Sequence, residues 1–240
     1  MKLANRSLYL QARDEILDLI NKELNPMEKI PSEQKLSNQL GVSRNTIREA
    51  IRTLEQEGVL YCKHGVGTFV IGSKDSLKTN ITTLESSTNI IKSQDYFPGT
   101  QNVDTKVMKA PSNVKSKLSL EEHSNVFYIE RVRTADTQPV VYVEDYIPYI
   151  DEMENEYREK YYESLTEFLG KFEMEFSFSI CSIKAVISDE KVMKKLELKE
   201  KSALLLLQQT HYSDKGIPVL YSDSYYLSDK FEFNVIRRKG

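Results

Sequence analysis

The 240-residue sequence predicts an α+β chain with two parts: three helices closed by a β-hairpin at the amino end, then a larger antiparallel sheet covered by helices. Three observations carry this. Apolar residues recur at helical spacing until Gly58. Two strand-like runs then flank His64-Gly65-Val66-Gly67. Much later, PVVYVEDY (139–146) is echoed by PVLYSDSY (218–225), each copy preceded by a strand-like run and a turn.

Composition sets the class. Charged residues make up 29% and hydrophobic ones 40%, which fits a soluble folded chain. The amino terminus MKLANRSLYLQ lacks an apolar stretch of secretory length, and the aliphatic run Ala203 to Leu207 is too short to span a bilayer. A cytoplasmic protein with no membrane partner is expected. Cys62 and Cys181 have no metal-ligand spacing and read as buried, reduced thiols rather than a disulfide. Net charge is −3, with 10 basic against 9 acidic residues in 1–72 and 23 against 27 in the remainder. Any nucleic-acid site must therefore be local.

The helices follow in order. Tyr9, Ile16, Leu17, Ile20 and Leu24 keep helical spacing until Asn25-Pro26. Pro31-Ser32-Glu33 opens a second helix, in which Ser32 caps the first amides, Leu36 and Leu40 form the buried stripe, and Gly41 supplies the left-handed stop. After a tight turn Ser43 caps a third helix running from about Arg44 to Glu57. Its Ile47, Ala50, Ile51 and Leu54 share one face, and Arg44, Arg48 and Arg52 share another. Such a helix fits a DNA major groove, where arginine suits guanine edges and phosphates. The same spacing also describes a solvated face on which Glu49 pairs with Thr53 or Arg52. Strands at Val59–Lys63 and Thr68–Ile71 with glycines between them add a wing with a basic tip, which favours DNA.

The segment PSEQKLSNQLGVSRNTIREAIRTLEQEGVLYCKHGVGTFV resembles the winged helix-turn-helix of the GntR family of bacterial transcription regulators, over about residues 7–71. The resemblance implies a DNA-binding set of Ser32, Arg44, Asn45, Thr46, Arg48, His64, Gly65, Gly67 and Thr68. This chain departs from many relatives at Gln34 and Val66, where they carry arginine, so an operator sequence does not transfer. The expected division is 1–71 for this domain, a polar linker at 72–81, and a second domain at 82–240.

In the second domain, hairpins are expected around 126–146 and 203–225, further strands near 103–110 and 176–188, and helical patterns at 153–172 and 189–197. ERVRTADTQPVVYVEDYIP, SLTEFL and IPVLYSDSYYLSDKFEF resemble the UTRA effector-binding domain of the HutC subfamily, a fold like that of chorismate lyase. Arg131 and Arg133 emerge from one strand face. They form either surface ion pairs with Glu130, Glu144 or Asp145, or an anion clamp completed by Ser164 and Thr166 at a helix start. The resemblance favours the clamp, and Tyr226 is either a pocket hydroxyl or a structural residue. Relatives that respond to amino sugars carry acids where this chain has Val143 and Leu220, so the implied effector is an anionic metabolite such as a phosphorylated sugar, not an amino sugar.

An enzyme is the rival class, given the lyase-like fold. Against it, His64, His123 and His211 show no metal spacing, and no nucleophile elbow or phosphate loop is present. No catalytic residue, metal or cofactor is expected. A constitutive DNA-binding dimer without an effector is the third reading. The sequence is thus identified as a ligand-responsive regulator, expected to act as a repressor and to bind an inverted-repeat, double-stranded operator as a homodimer.

Overall fold

The computed structural model describes residues 7–71, 81–82, 84–160, 164–231, 233 and 235. Residues 72–80, the body of the expected linker, lie outside them. The chain divides into two compact units, Met1–Thr83 with Phe233–Gly240, and Leu84–Glu232.

In the first unit, α1 (Leu8–Glu23), α2 (Glu33–Leu40) and α3 (Arg44–Gln56) are followed by β1 (Leu60–Lys63) and β2 (Gly67–Val70). The caps act as the sequence dictates. Ser32 Oγ accepts from the Lys35 amide and Ser43 Oγ from the Thr46 amide, while Gly41 stops α2 at φ 66°. The apolar face of α3 is fully used: Ile47, Ala50, Ile51 and Leu54 pack with Ile16, Ile20, Leu36 and Leu60. The hairpin gains a third edge that its own strands do not announce. Ile30 and Met27 amides donate to Thr68 and Val70 carbonyls, and Lys29 bridges Phe69. Cys62 is exposed and Cys181 half-buried, which corrects the expectation of two buried thiols; Cys62 lies on an outward position of β1, and both cysteines are free.

The second unit is a six-stranded antiparallel sheet in the order β3-β4-β5-β8-β7-β6. Its strands are β3 (Pro98–Lys109), β4 (Asn125–Ala135), β5 (Gln138–Pro148), β6 (Phe178–Ile187), β7 (Ala203–Tyr212) and β8 (Pro218–Leu227). The helices are α4 (Ser87–Ser93), α5 (Ser112–Leu118), α6 (Met153–Lys160), α7 (Leu165–Gly170) and α8 (Glu190–Lys195). The helical pattern expected over 153–172 is two helices, α6 and α7, with Ser164 capping the second. Phe127, Ile129 and Ile147 pack under Met153, Tyr157, Phe168 and Leu169 on one sheet face. On the other, Val126 and Tyr221 pack against Val114 and Leu118 of α5.

The sequence echo has a geometric meaning. The β4–β5 and β7–β8 hairpins meet along their second strands, pairing Tyr142 with Tyr225, Glu144 with Asp223 and Tyr146 with Tyr221. Each copy's tyrosines thus face the other copy's, as across a local two-fold axis between Glu144 and Asp223. Side chains on paired positions share a sheet face. One face carries the tyrosines with Glu130, Glu144 and Asp223; the other carries Arg131, Arg133, Val143, Asp145 and Ser222.

Buried acids need partners. Glu130 accepts from the hydroxyls of Tyr128 and Tyr142 and pairs with Lys191 and Lys195 of α8. Burial pushes its carboxyl up, yet these bonds, led by Lys195, outweigh that and hold it at about 2. The network fixes α8 to the sheet on the face away from the arginines.

Candidate functional site

On α3, Arg44, Asn45 and Arg48 are exposed and Thr46 is half-buried beside its capping partner Ser43. Arg48 is held from the preceding helix, α2: Nη2 and Nε donate to the two oxygens of Glu33 at 2.8 and 3.3 Å, and Arg44 stands 3.9 Å from the same carboxylate. The Glu33 hydrogen bonds raise the Arg48 pKa. The sequence places Glu33 only at the opening of α2; its fork on Arg48 depends on how α2 crosses α3. Ser32 is exposed beside it. His64 and Gly65 are exposed at the tip of the hairpin, with Gly67 and Thr68 half-buried behind them. Gly67 takes φ 141°, and the Lys29 stem lies where a side chain would start, so glycine suits the position on both counts; the Lys29 ammonium donates to the Val66 carbonyl at 2.5 Å. A cation thus reaches the wing tip although Val66 itself is apolar.

In the second unit, Arg131, Arg133, Ser164, Thr166 and Tyr226 converge on one cavity of about 560 Å³. Its floor is the sheet face of β4, β5, β8 and β7, and residues from the starts of α4 and α7 line its sides. Arg131 Nη2 donates to Asp145 Oδ2 at 2.6 Å, with the two side chains 9% and 2% exposed. The surface pairing considered from sequence is thus replaced by a buried pair inside the cavity, because Asp145 shares the arginine face while Glu130 and Glu144 point away. Ser222 Oγ donates to the other Asp145 oxygen at 2.5 Å. Arg133 donates to the hydroxyls of Thr100 on β3 and Thr88 on α4.

Ser164 Oγ accepts from the Glu167 amide at 3.4 Å, which leaves its own proton to give. Tyr226 is 3% exposed, edge-on to Phe231, and burial raises its pKa. Val143 and Leu220 put hydrocarbon into the wall. Sequence reasoning missed Thr88, Gln209 and His211 in this cavity, and considered Asp145 only as a surface partner. The run Ser86-Ser87-Thr88-Asn89 ahead of Ile90-Ile91 is a capping signal that could have revealed α4, and Ser86 does cap it.

A winged helix with outward arginines and a separate sheet domain enclosing a polar cavity define a DNA-binding regulator joined to a sensing domain. Residues 8–70 match the bacterial regulatory proteins of the gntR family, and residues 93–232 match the UTRA domain. The chain belongs to the GntR family of transcription regulators and carries its UTRA domain. It is 28% identical over 231 residues to the HTH-type transcriptional repressor NagR of Bacillus subtilis, covering 94% of this chain and 93% of that one. It is 41% identical over 100 residues to the arabinose metabolism transcriptional repressor of Geobacillus stearothermophilus, covering 41% and 27%. The possible transcriptional regulator YydK of B. subtilis has the same fold, with a TM-score of 0.78 at 22% identity, covering 97% and 100%. As a member of that family the chain is a transcription regulator, not an enzyme. Among the described residues no helix is long and apolar enough to cross a membrane.

Proposed function

We propose that the protein is a cytoplasmic, homodimeric repressor that leaves an inverted-repeat operator when a small anionic metabolite, most simply a phosphorylated sugar, enters the UTRA cavity. The observation that carries this reading is the convergence of two arginines with the hydroxyls of Ser164, Thr166 and Tyr226 around one cavity. Phosphate suits it because three acceptor oxygens can engage two guanidinium forks and nearby hydroxyls together. The similarity to the arabinose metabolism repressor supports a sugar-derived compound, and the apolar Val143 and Leu220 argue against an amino sugar.

Two copies are required because one recognition helix reads too few base pairs for useful specificity. The proposed dimer surface is the edge strand β6, where Phe178, Ile180, Ile183 and Ile187 are exposed. Its outer edge pairs with no strand among the described residues. An apolar edge of this kind needs cover in solution.

DNA contacts are assigned to Ser32, Arg44, Asn45, Thr46 and Arg48, and to His64, Gly65, Gly67 and Thr68 on the wing. The test is operator binding by fluorescence anisotropy across a panel of sugar phosphates and carboxylates. An effector should lower wild-type affinity by roughly 5- to 150-fold, since it must favour one dimer arrangement over the other. Arg133→Ala should hold the operator as tightly and fail to release it. A variant that responds with unchanged sensitivity places the effector elsewhere, and a protein that releases DNA for no compound is the constitutive dimer.

A further inference from the structure

The local two-fold relation between the hairpins carries a second pair of side chains into the same cavity. Arg133 pairs with Val141 as His211 pairs with Leu220, and Val141 and Leu220 hold equivalent places in the two echoing segments. By the same relation Arg131 corresponds to Gln209. All four residues line the cavity, so the β7 side presents a neutral pair where the β4 side presents a cationic one. The two strands stand three strand spacings apart, about 14 Å. An anion held at the arginines therefore leaves the β7 pair to the opposite end of the bound molecule.

His211 is the exceptional member. Its side chain is buried, at 7% exposure, and its Nδ1 has no hydrogen-bond partner among the described residues. Buried polar atoms in folded proteins are nearly always bonded. The ring lies against Phe176, with centroids 4.8 Å apart, and opposite Leu220. The carboxylate that acts on it, Asp145, is already engaged by Arg131 and Ser222. Burial lowers the imidazole pKa to about 4 against the pull of Asp145, so the ring is neutral at pH 7.

We propose that His211 is a specificity-determining residue, forming one hydrogen bond with a hydroxyl at the end of the effector opposite the anionic group. This rests on the anion reading given above. A hydroxyl fits because it both donates and accepts and so serves either ring tautomer. Phe176 and Leu220 supply hydrocarbon around it, so the ligand class is an anionic metabolite whose far hydroxyl is flanked by carbon and hydrogen. Each further hydroxyl facing those two side chains would be desolvated without a partner.

The experiment uses the full-length protein, inorganic phosphate, and straight-chain alkyl phosphates of two to five carbons, each beside its terminal-hydroxyl counterpart. Calorimetry on the wild type should show the hydroxylated member binding roughly tenfold more tightly at one chain length, the factor of one neutral hydrogen bond. His211→Leu should abolish that preference while inorganic phosphate binds unchanged; His211→Gln, which keeps a donor and an acceptor, should restore part of it. In ¹⁵N-histidine spectra the His211 Nδ1 signal should move with the hydroxylated ester and stay put with inorganic phosphate. Because leucine removes a buried atom that lacks a partner, the His211→Leu protein should melt no lower than the wild type, which a purely structural histidine would not allow. A hydroxyl preference that persists in His211→Leu overturns the proposal. So does its absence from the wild type at every chain length while inorganic phosphate binds. If inorganic phosphate and every ester fail to bind, the anion reading falls, and this proposal with it.

Discussion

Replacing Asp145 by asparagine separates two effects of opposite sign. The carboxylate is 2% exposed and sits 2.6 Å from Arg131 Nη2, itself on a side chain only 9% exposed. Removing one member of a buried ion pair leaves the other charge in a poorly hydrated site, which costs about 3 to 5 kcal/mol. Asparagine keeps the volume and one acceptor oxygen, so the lower figure, about 3 kcal/mol, is expected. For a domain of about 150 residues that is a fall in melting temperature of roughly 6–12 °C. Yet Asp145 also competes with any anion for Arg131. Without it, inorganic phosphate should bind more tightly, and the phosphate-induced rise in melting temperature, which follows RT ln(1 + [L]/Kd), should be larger in the variant than in the wild type. Differential scanning fluorimetry over a phosphate series measures both. A loss under about 1 kcal/mol would show that the pair is not the buried contact described. A phosphate response equal to or smaller than that of the wild type would remove Arg131 from the anion site.

Three further outcomes are expected. Arg48→Ala should weaken operator binding by about 1–3 kcal/mol if the side chain reads a base, or flatten the salt dependence if it meets phosphate; unchanged binding by a folded variant would remove Arg48 from the interface. Stability should fall between pH 6.5 and 4, because the unfolded His211 has a pKa near 6.5 and burial holds the folded one at about 4, so the unfolded chain binds more protons in that window. The gap corresponds to at most roughly 3 kcal/mol, and His211→Leu should show a shallower slope in urea titrations. Ile183→Lys with Ile187→Lys on the β6 edge should shift sedimentation toward monomer at micromolar concentration; an unaltered dimer would place the interface elsewhere.

The first domain was legible because its signals are local. Ser32, Gly41 and Ser43 specify caps and a stop with no help from the rest of the chain, and the four-residue stripe on α3 fixes which face is buried. The third edge of the wing was not legible, since Met27–Ile30 has no strand pattern and earns its place only by pairing with β2. In the sheet domain, alternation along β4 correctly put Arg131 and Arg133 on one face. It could not choose among Glu130, Glu144 and Asp145 as partner, because that depends on the register between β4 and β5. His211 was hidden for a similar reason. The run ALLLLQQTHY has no period that separates its faces, so only pairing with β8 reveals that Gln209 and His211 look into the cavity.

On the DNA contact proposed for Arg48, the carboxylate of Glu33 has a consequence for how the protein would search a chromosome. Arg48 already holds a forked acceptor, so an encounter with arbitrary duplex offers it little beyond what it has, while Glu33 itself is repelled by the phosphate backbone. Contacts at wrong sequences are thereby shortened. Only a site presenting a well-placed pair of acceptors, such as the O6 and N7 edge of guanine, can replace the fork that the arginine gives up. On that proposed contact Glu33 is an occupant to be displaced at each trial address, exchanging residence time on bulk DNA for faster rejection of the wrong one.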